Sequence, residues 1–251
     1  MKTKSTNKLF YCTYCMFIFV LLINDPSVCA GETEKLTGKK FAQLARGGIL
    51  YDNWLTELQV KVDNTHPSYP SDGKQKGETT WRCKECHGWD YKGKAGAYST
   101  GSHYTGILGI RAYSNQKPEK IIKVLKDDTH AFGNMISDDA YEALALFVAY
   151  GQIDVDLYID RATKKSTGDP ASGWRIYLTT CVKCHGDDGK EINFKDEAKP
   201  EYIGTIANKN PWETLHKIRW GHPESQMISL VFLDLEAQLH VLSFCQTVLG
   251  K

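Results

Sequence analysis

Apolar positions recur with helical spacing at corresponding places in the two halves of this chain. After Ser137, a residue type suited to capping a helix, Ala140, Tyr141, Leu144, Phe147 and Val148 share one face at the 3.6-residue period. A second closing helix is predicted from Asp234. Counting ten positions from each cap reaches Phe147 and Phe244, which makes the two helices equivalent and sets Cys245 level with Val148. Cys245 therefore reads as a core thiol, the usual fate of a free cysteine. The opening helices match as well: Gly47-x-x-x-Tyr51 pairs with Gly173-x-x-x-Tyr177, the glycine allowing close helix contact and the tyrosine packing beside it. Pro118 and Pro211 each suit the first turn of a further helix. The pattern predicts an all-α protein built as two similar modules.

Further repeat marks support the duplication. Tyr104 follows His87 by the same interval that separates Tyr202 from His185, and Gly106 and Gly204 stand two places further on. Each half then carries His-x-x-x-x-Met, His130 to Met135 and His222 to Met227. The predicted modules are residues 31–151 and 170–251, joined by a linker over 152–169 in which Lys164-Lys165-Ser166-Thr167-Gly168 looks loop-like. One departure from the repeat stands out. Tyr177 lies four residues before Cys181, whereas Tyr51 lies 32 before Cys83, so the first module holds an insertion at about 52–80. It includes His66-Pro67-Ser68-Tyr69-Pro70, and a loop of that length leans towards function.

At the N-terminus, Lys2, Lys4 and Lys8 precede an apolar run from Leu9 to Ile23 that ends near Ser27-Val28-Cys29-Ala30. This layout predicts a secretory signal peptide over 1–30, cleaved before Gly31. The run is shorter than the roughly 20 residues of a spanning helix, so the mature chain is expected to have no membrane span and to be periplasmic or otherwise exported. With 31 Lys and Arg against 30 Asp and Glu, the chain is near neutral and offers no sign of nucleic-acid binding. Lys117, Lys120, Lys123 and Lys126 recur every third position on the helix leading to Met135.

Cysteine usage sharpens the picture. Of the eight cysteines, three lie in the predicted leader and four of the rest form two tight clusters. Cys83-Lys84-Glu85-Cys86-His87 and Cys181-Val182-Lys183-Cys184-His185 both read Cys-x-x-Cys-His, the spacing of c-type haem attachment. Two thiols three positions apart on a helical turn can each add to one vinyl group of a porphyrin, while the adjacent histidine turns a ring nitrogen towards the iron. A thioredoxin-like dithiol calls for a βαβ context, and a zinc site pairing two such motifs usually places them about 15 to 20 residues apart, far closer than Cys86 and Cys181. Local disulfides leave both histidines unexplained.

With these motifs the chain resembles the two-domain dihaem relatives of class I cytochromes c, the cytochrome c4 type, over nearly the whole mature chain. The resemblance implies a helical fold around each of two covalently bound haems c and a crossing of first and last helices in each module. It also implies a distal methionine on a loop well after each motif. Met135 and Met227, the two methionines outside the leader, sit at those places, giving the metal ligands His87 and Met135, His185 and Met227. His130 or His222 could take the place of a methionine, and His66 could reach the first haem from the insertion. In the resembled family a proline carbonyl holds the proximal histidine; Pro200 suits that role for His185, and the matching place in the first module is Ser102. The implied function is single-electron transfer between a redox-protein donor and acceptor. Two alternatives are a dihaem oxidoreductase, either peroxidase-like or thiosulfate dehydrogenase-like, and a haem subunit of a larger exported redox complex. For a thiolate-ligated haem, only Cys245 could supply the sulfur.

Overall fold

The computed structural model describes residues 38–249; the predicted signal peptide over 1–30 lies outside them. Helices dominate, and no β-strand forms among the described residues. They run in the order α1 (Gly38–Glu57), α2 (Cys83–His87), α3 (Pro118–Leu125), α4 (Asp138–Leu146), α5 (Pro170–Thr180), α6 (Val182–His185), α7 (Ile203–Lys209), α8 (Pro211–Trp220) and α9 (Leu235–Thr247). Among the described residues, no helix is long and apolar enough to cross a membrane. All of them fall within one compact unit.

Local chemistry sets several helix boundaries. Asp169 caps α5 by accepting from the backbone N–H groups of Ala171 and Ser172, with Pro170 in the first turn. Asp234 caps α9 through the Ala237 N–H, and Asn210 caps α8 ahead of Pro211. α4 starts after Ser137, whose side chain makes no capping bond, and ends in a π-helical turn, Phe147–Gly151. α1 is kinked at Asn53, which leaves helical backbone angles within the helix.

Two pairs of helices cross closely, and glycine permits both crossings. A methyl group at Gly47 would stand 2.7 Å from Phe147 Cβ and run into the Ala143 carbonyl; one at Gly173 would meet the His240 carbonyl and stand 3.0 Å from Phe244 Cβ. The aromatic packing beside the crossings is equally alike. Tyr51 and Phe147 have ring centroids 5.1 Å apart at 42°, and Tyr177 and Phe244 5.0 Å apart at 47°. The equivalence of Phe147 and Phe244 read from the sequence is thus an equivalence in space.

The hydrophobic core divides into two clusters. One gathers Leu50, Tyr51, Trp54, Leu144 and Phe147, and the other Tyr177, Leu215, Leu242, Phe244 and Cys245. The clusters exchange members: Trp220 of α8 packs in the first, Trp89 and Tyr98 in the second. His216 of α8 ties the halves further, one ring nitrogen 2.9 Å from the Tyr91 hydroxyl and the other 2.9 Å from the Gly48 carbonyl. The stretch 152–169 is loop but for a 3-10 turn over Val155–Leu157, and it is anchored, with Val155 and Ile159 buried in the second cluster and Arg161 paired with Asp90 at 2.9 Å.

The repeat has a limit. Tyr202 and Gly204 enter helix α7, whereas Tyr104 and Gly106 lie in irregular chain, Gly106 at φ 72°. In the first half this stretch forms an isolated antiparallel bridge between Gly93 and Leu108. That difference matters at the site.

Candidate functional site

Both Cys-x-x-Cys-His motifs form a short helical segment, α2 for Cys83–His87 and Val182–His185 of α6 for the other. Each is closed by a glycine in left-handed backbone, Gly88 at φ 77° and Gly186 at φ 75°. Each glycine carbonyl accepts a 2.7 Å hydrogen bond from a tyrosine hydroxyl, Tyr51 to Gly88 and Tyr177 to Gly186. The glycine-marked helix crossing thus fixes the tyrosine, and the tyrosine fixes the end of the motif. The same three-part device occurs twice.

All five described cysteines are free thiols. Burial pushes Cys83 and Cys86 up to about 12 and Cys181 up to about 11, so these sulfurs stay protonated at neutral pH. Protonated, half-buried thiols are poor nucleophiles towards disulfides and poor ligands for a bare cation. Among the described residues, no group of three or more His, Cys, Asp or Glu side chains is arranged to hold a metal ion. Cys245 is fully buried beside Tyr177, its thiol held well above the ordinary value by burial.

The motif histidines differ in support. His87 Nδ1 donates to the Leu108 carbonyl at 2.7 Å, which leaves Nε2 as its free nitrogen. With serine at the place where the resembled family has proline, the first half is expected to hold its histidine differently, and it does: the chain after Tyr104 brings the Leu108 carbonyl to the ring, while the Ser102 carbonyl accepts from Gln75 Nε2. His185 Nδ1 is buried without a hydrogen-bond partner, and Pro200 does not supply one. In the second half the corresponding chain is helix α7, whose carbonyls serve its own ladder. Burial lowers the pKa of both rings, His87 to about 4, which keeps them neutral and able to donate a lone pair.

Apolar side chains stand open beside both histidines. Leu108 is 67% exposed, and Phe194, whose ring centroid lies 6.2 Å from that of His185, is 44% exposed. Two thiols on one turn, a neutral imidazole with a free Nε2, and uncovered apolar side chains next to it are the donor set and surroundings that a thioether-linked haem needs. The residues fit that group. A cavity of about 290 Å³ opens at Phe194 and His222, lined also by Ile206, Asn210, Glu213 and Lys217 but by no motif residue. A cavity of about 380 Å³ lies elsewhere, lined mostly by residues of α1 and the insertion together with Arg82 and Glu224, and contains no motif residue.

The distal candidates are disposed unequally. Met135 is half-buried and packs against the first core cluster with Phe132 and Ile136 nearby in the chain. Met227 is half-buried, its backbone N–H donating to Ser225 Oγ at 3.2 Å. The His130 ring centroid lies 6.4 Å from that of His87. His222 is half-buried, with Nδ1 2.8 Å from the Pro223 carbonyl. His66 is buried with both ring nitrogens engaged, Nδ1 with the Ser68 N–H at 3.1 Å and Nε2 with the His130 carbonyl at 2.8 Å, so it has none to spare for a metal.

Sequence reasoning missed a buried ionic group inside the first motif. Glu85 is fully buried, 3.0 Å from Lys84 Nζ and 2.7 Å from His103 Nδ1. Burial alone would raise its pKa; the hydrogen bond from His103 and the Lys84 charge outweigh that and hold it below the usual carboxylate range. No known protein family, curated protein or solved structure matches the chain.

Proposed function

We propose that this chain is an exported dihaem c-type cytochrome that transfers single electrons between a redox-protein donor and acceptor. The observation that carries the reading is the duplicated device around Cys-x-x-Cys-His: two free thiols on one turn, a neutral histidine beside them, and a tyrosine hydroxyl 2.7 Å from the following glycine carbonyl in both halves. In this reading Cys83, Cys86 and His87 hold one haem, Cys181, Cys184 and His185 the other, in two tandem cytochrome modules with Met227 as distal ligand of the second. When bound, the haem supplies a one-electron ferric/ferrous couple.

The chain's own residues keep such a site rigid. The Leu108 carbonyl fixes the His87 tautomer and raises the basicity of Nε2. Tyr51 and Tyr177 lock the motif against the core, so little atomic movement accompanies a change of charge at the centre. The fully buried Cys245, protonated and packed in the second cluster, serves as core, which weighs against a thiolate-ligated oxidoreductase.

The mature protein tests the reading in rapid mixing. A carrier exchanges electrons quickly with small redox mediators, while cyanide and carbon monoxide bind slowly to both sites. A fast ligand-binding phase with the amplitude of one haem in the unmutated protein contradicts the carrier reading and favours the oxidoreductase.

A further inference from the structure

We propose that His130, and not Met135, is the sixth ligand of the first haem, and that the insertion exists to hold it there; the assignment rests on the dihaem reading above. The ring centroids of His87 and His130 lie 6.4 Å apart, with the planes inclined by 34°. Two imidazoles bound through Nε2 on opposite sides of one iron have centroids roughly 6.2 Å apart, from about 2.0 Å between nitrogen and metal and about 1.1 Å between nitrogen and ring centre on each side.

Distance alone also suits ordinary ring packing. The hydrogen bonds decide. His87 Nδ1 is held by the Leu108 carbonyl at 2.7 Å and His130 Nδ1 by Asp127 Oδ1 at 3.0 Å, so in both rings the nitrogen left free is Nε2. A carboxylate or carbonyl on the far nitrogen is the usual support of a metal-bound histidine. Asp127 also accepts from the Thr129 and His130 N–H groups at 3.0 and 3.1 Å, which fixes the backbone of the loop as well as the ring.

The insertion grips that same loop. His66 Nε2 lies 2.8 Å from the His130 carbonyl, and Ser68 Oγ donates to the Thr129 carbonyl at 2.6 Å. His66 is anchored in turn, its N–H on Thr80 Oγ1 at 2.8 Å and its ring edge-on to Trp81 at 4.4 Å. The second half has no insertion, and there the ring of His222 bonds to the carbonyl of its own neighbour, Pro223. Met135 has a sufficient role without iron, packing against the first core. An imidazole in place of a thioether also sets the first haem at the lower potential, so that electrons settle on the second.

The test uses the mature protein, after its covalent haems have been counted. Met135→Leu, which conserves volume, should leave both sites low-spin and carbon monoxide binding slow. His130→Ala should create a fast carbon monoxide phase with the amplitude of one haem. His130→Met should add one haem's worth of near-infrared thioether charge transfer and raise the lower of the two potentials. A Met135→Leu protein with one opened haem overturns the assignment, as does a His130→Ala protein with none. Should His130→Ala fail to accumulate, Met135→Leu alone decides. A chain without covalent haem overturns the dihaem reading and the assignment with it, whereas two haems with an opened Met135→Leu overturn the assignment only.

Discussion

Gly47→Ala and Gly173→Ala probe the device that both halves share. The added carbon at Gly47 would stand 2.7 Å from Phe147 Cβ, and at Gly173 3.0 Å from Phe244 Cβ, where carbons in contact prefer about 3.5–4.0 Å. Backbone carbonyls of Ala143 and His240 close off the other side, so no rotamer change relieves the clash; the helices must part by roughly 1 Å, at a cost of about 1–3 kcal/mol. That movement carries Tyr51 or Tyr177 off a glycine carbonyl now held at 2.7 Å, and an unpaired buried carbonyl adds about 1 kcal/mol or more. Against this, alanine gains about 1 kcal/mol over glycine in helix propensity. The net loss is about 1–3 kcal/mol for each substitution. Gly38→Ala, at the open start of α1 with nothing within 4 Å of the added carbon, is the control and should be neutral or slightly stabilising. Urea unfolding followed by circular dichroism reads the midpoint of each variant. A loss under about 0.5 kcal/mol at either crossing, or an equal loss at Gly38, refutes the reasoning.

Further outcomes follow from single contacts. His66→Ala removes the grip on the His130 carbonyl, so carbon monoxide should bind one haem faster than in the unmutated protein; unchanged kinetics would mean that the loop stands without its brace. Burial alone would raise the pKa of Asp52, but the Lys217 and Arg82 charges outweigh it and hold it below its unfolded value. Its stabilisation is therefore complete above the unfolded carboxylate range near pH 4 and is lost as pH falls through the lower folded pKa. Asp52→Asn should cost about 2 kcal/mol at pH 7 and make stability flatter between pH 5 and 2; an unaltered acid limb contradicts this. If the exposed Lys117, Lys120 and Lys123 meet an acidic partner, association should slow with salt and with charge reversal, and rates indifferent to both would leave these lysines as a solvated face.

What was legible in the sequence was whatever repeats locally. Asp234 and Pro211 announce helix starts through their own backbone chemistry, and the Gly-x-x-x-Tyr pairs announce crossings because only glycine permits the approach that Phe147 and Phe244 make. The motifs were legible for the same reason, their chemistry being held within five residues. Contacts between distant segments were not. Nothing in the chain next to His87 points to the Leu108 carbonyl; Ser102 at the matching place of the repeat signals only that the support differs, because the repeat fails where α7 has no counterpart. The grip of His66 on His130 joins positions 64 apart, and Glu85, written as a spacer inside a motif, gave no sign of being fully buried with Lys84 and His103. The end of α4 in a π-helical turn likewise reflects a side chain further on, since Gln152 Nε2 bonds back to the Val148 carbonyl at 2.5 Å and to Ile110 at 3.1 Å.

The central claim is two covalently bound haems on one chain, and the intact mass of the mature protein from an exporting host tests it most directly. The account predicts the polypeptide mass from Gly31 onward plus two haem masses, retained on denaturation and acid-acetone extraction, with Cys83→Ser or Cys181→Ser impairing attachment at its own motif alone. A bare polypeptide mass, a mass increased by zinc, or colour that leaves entirely on extraction would contradict it.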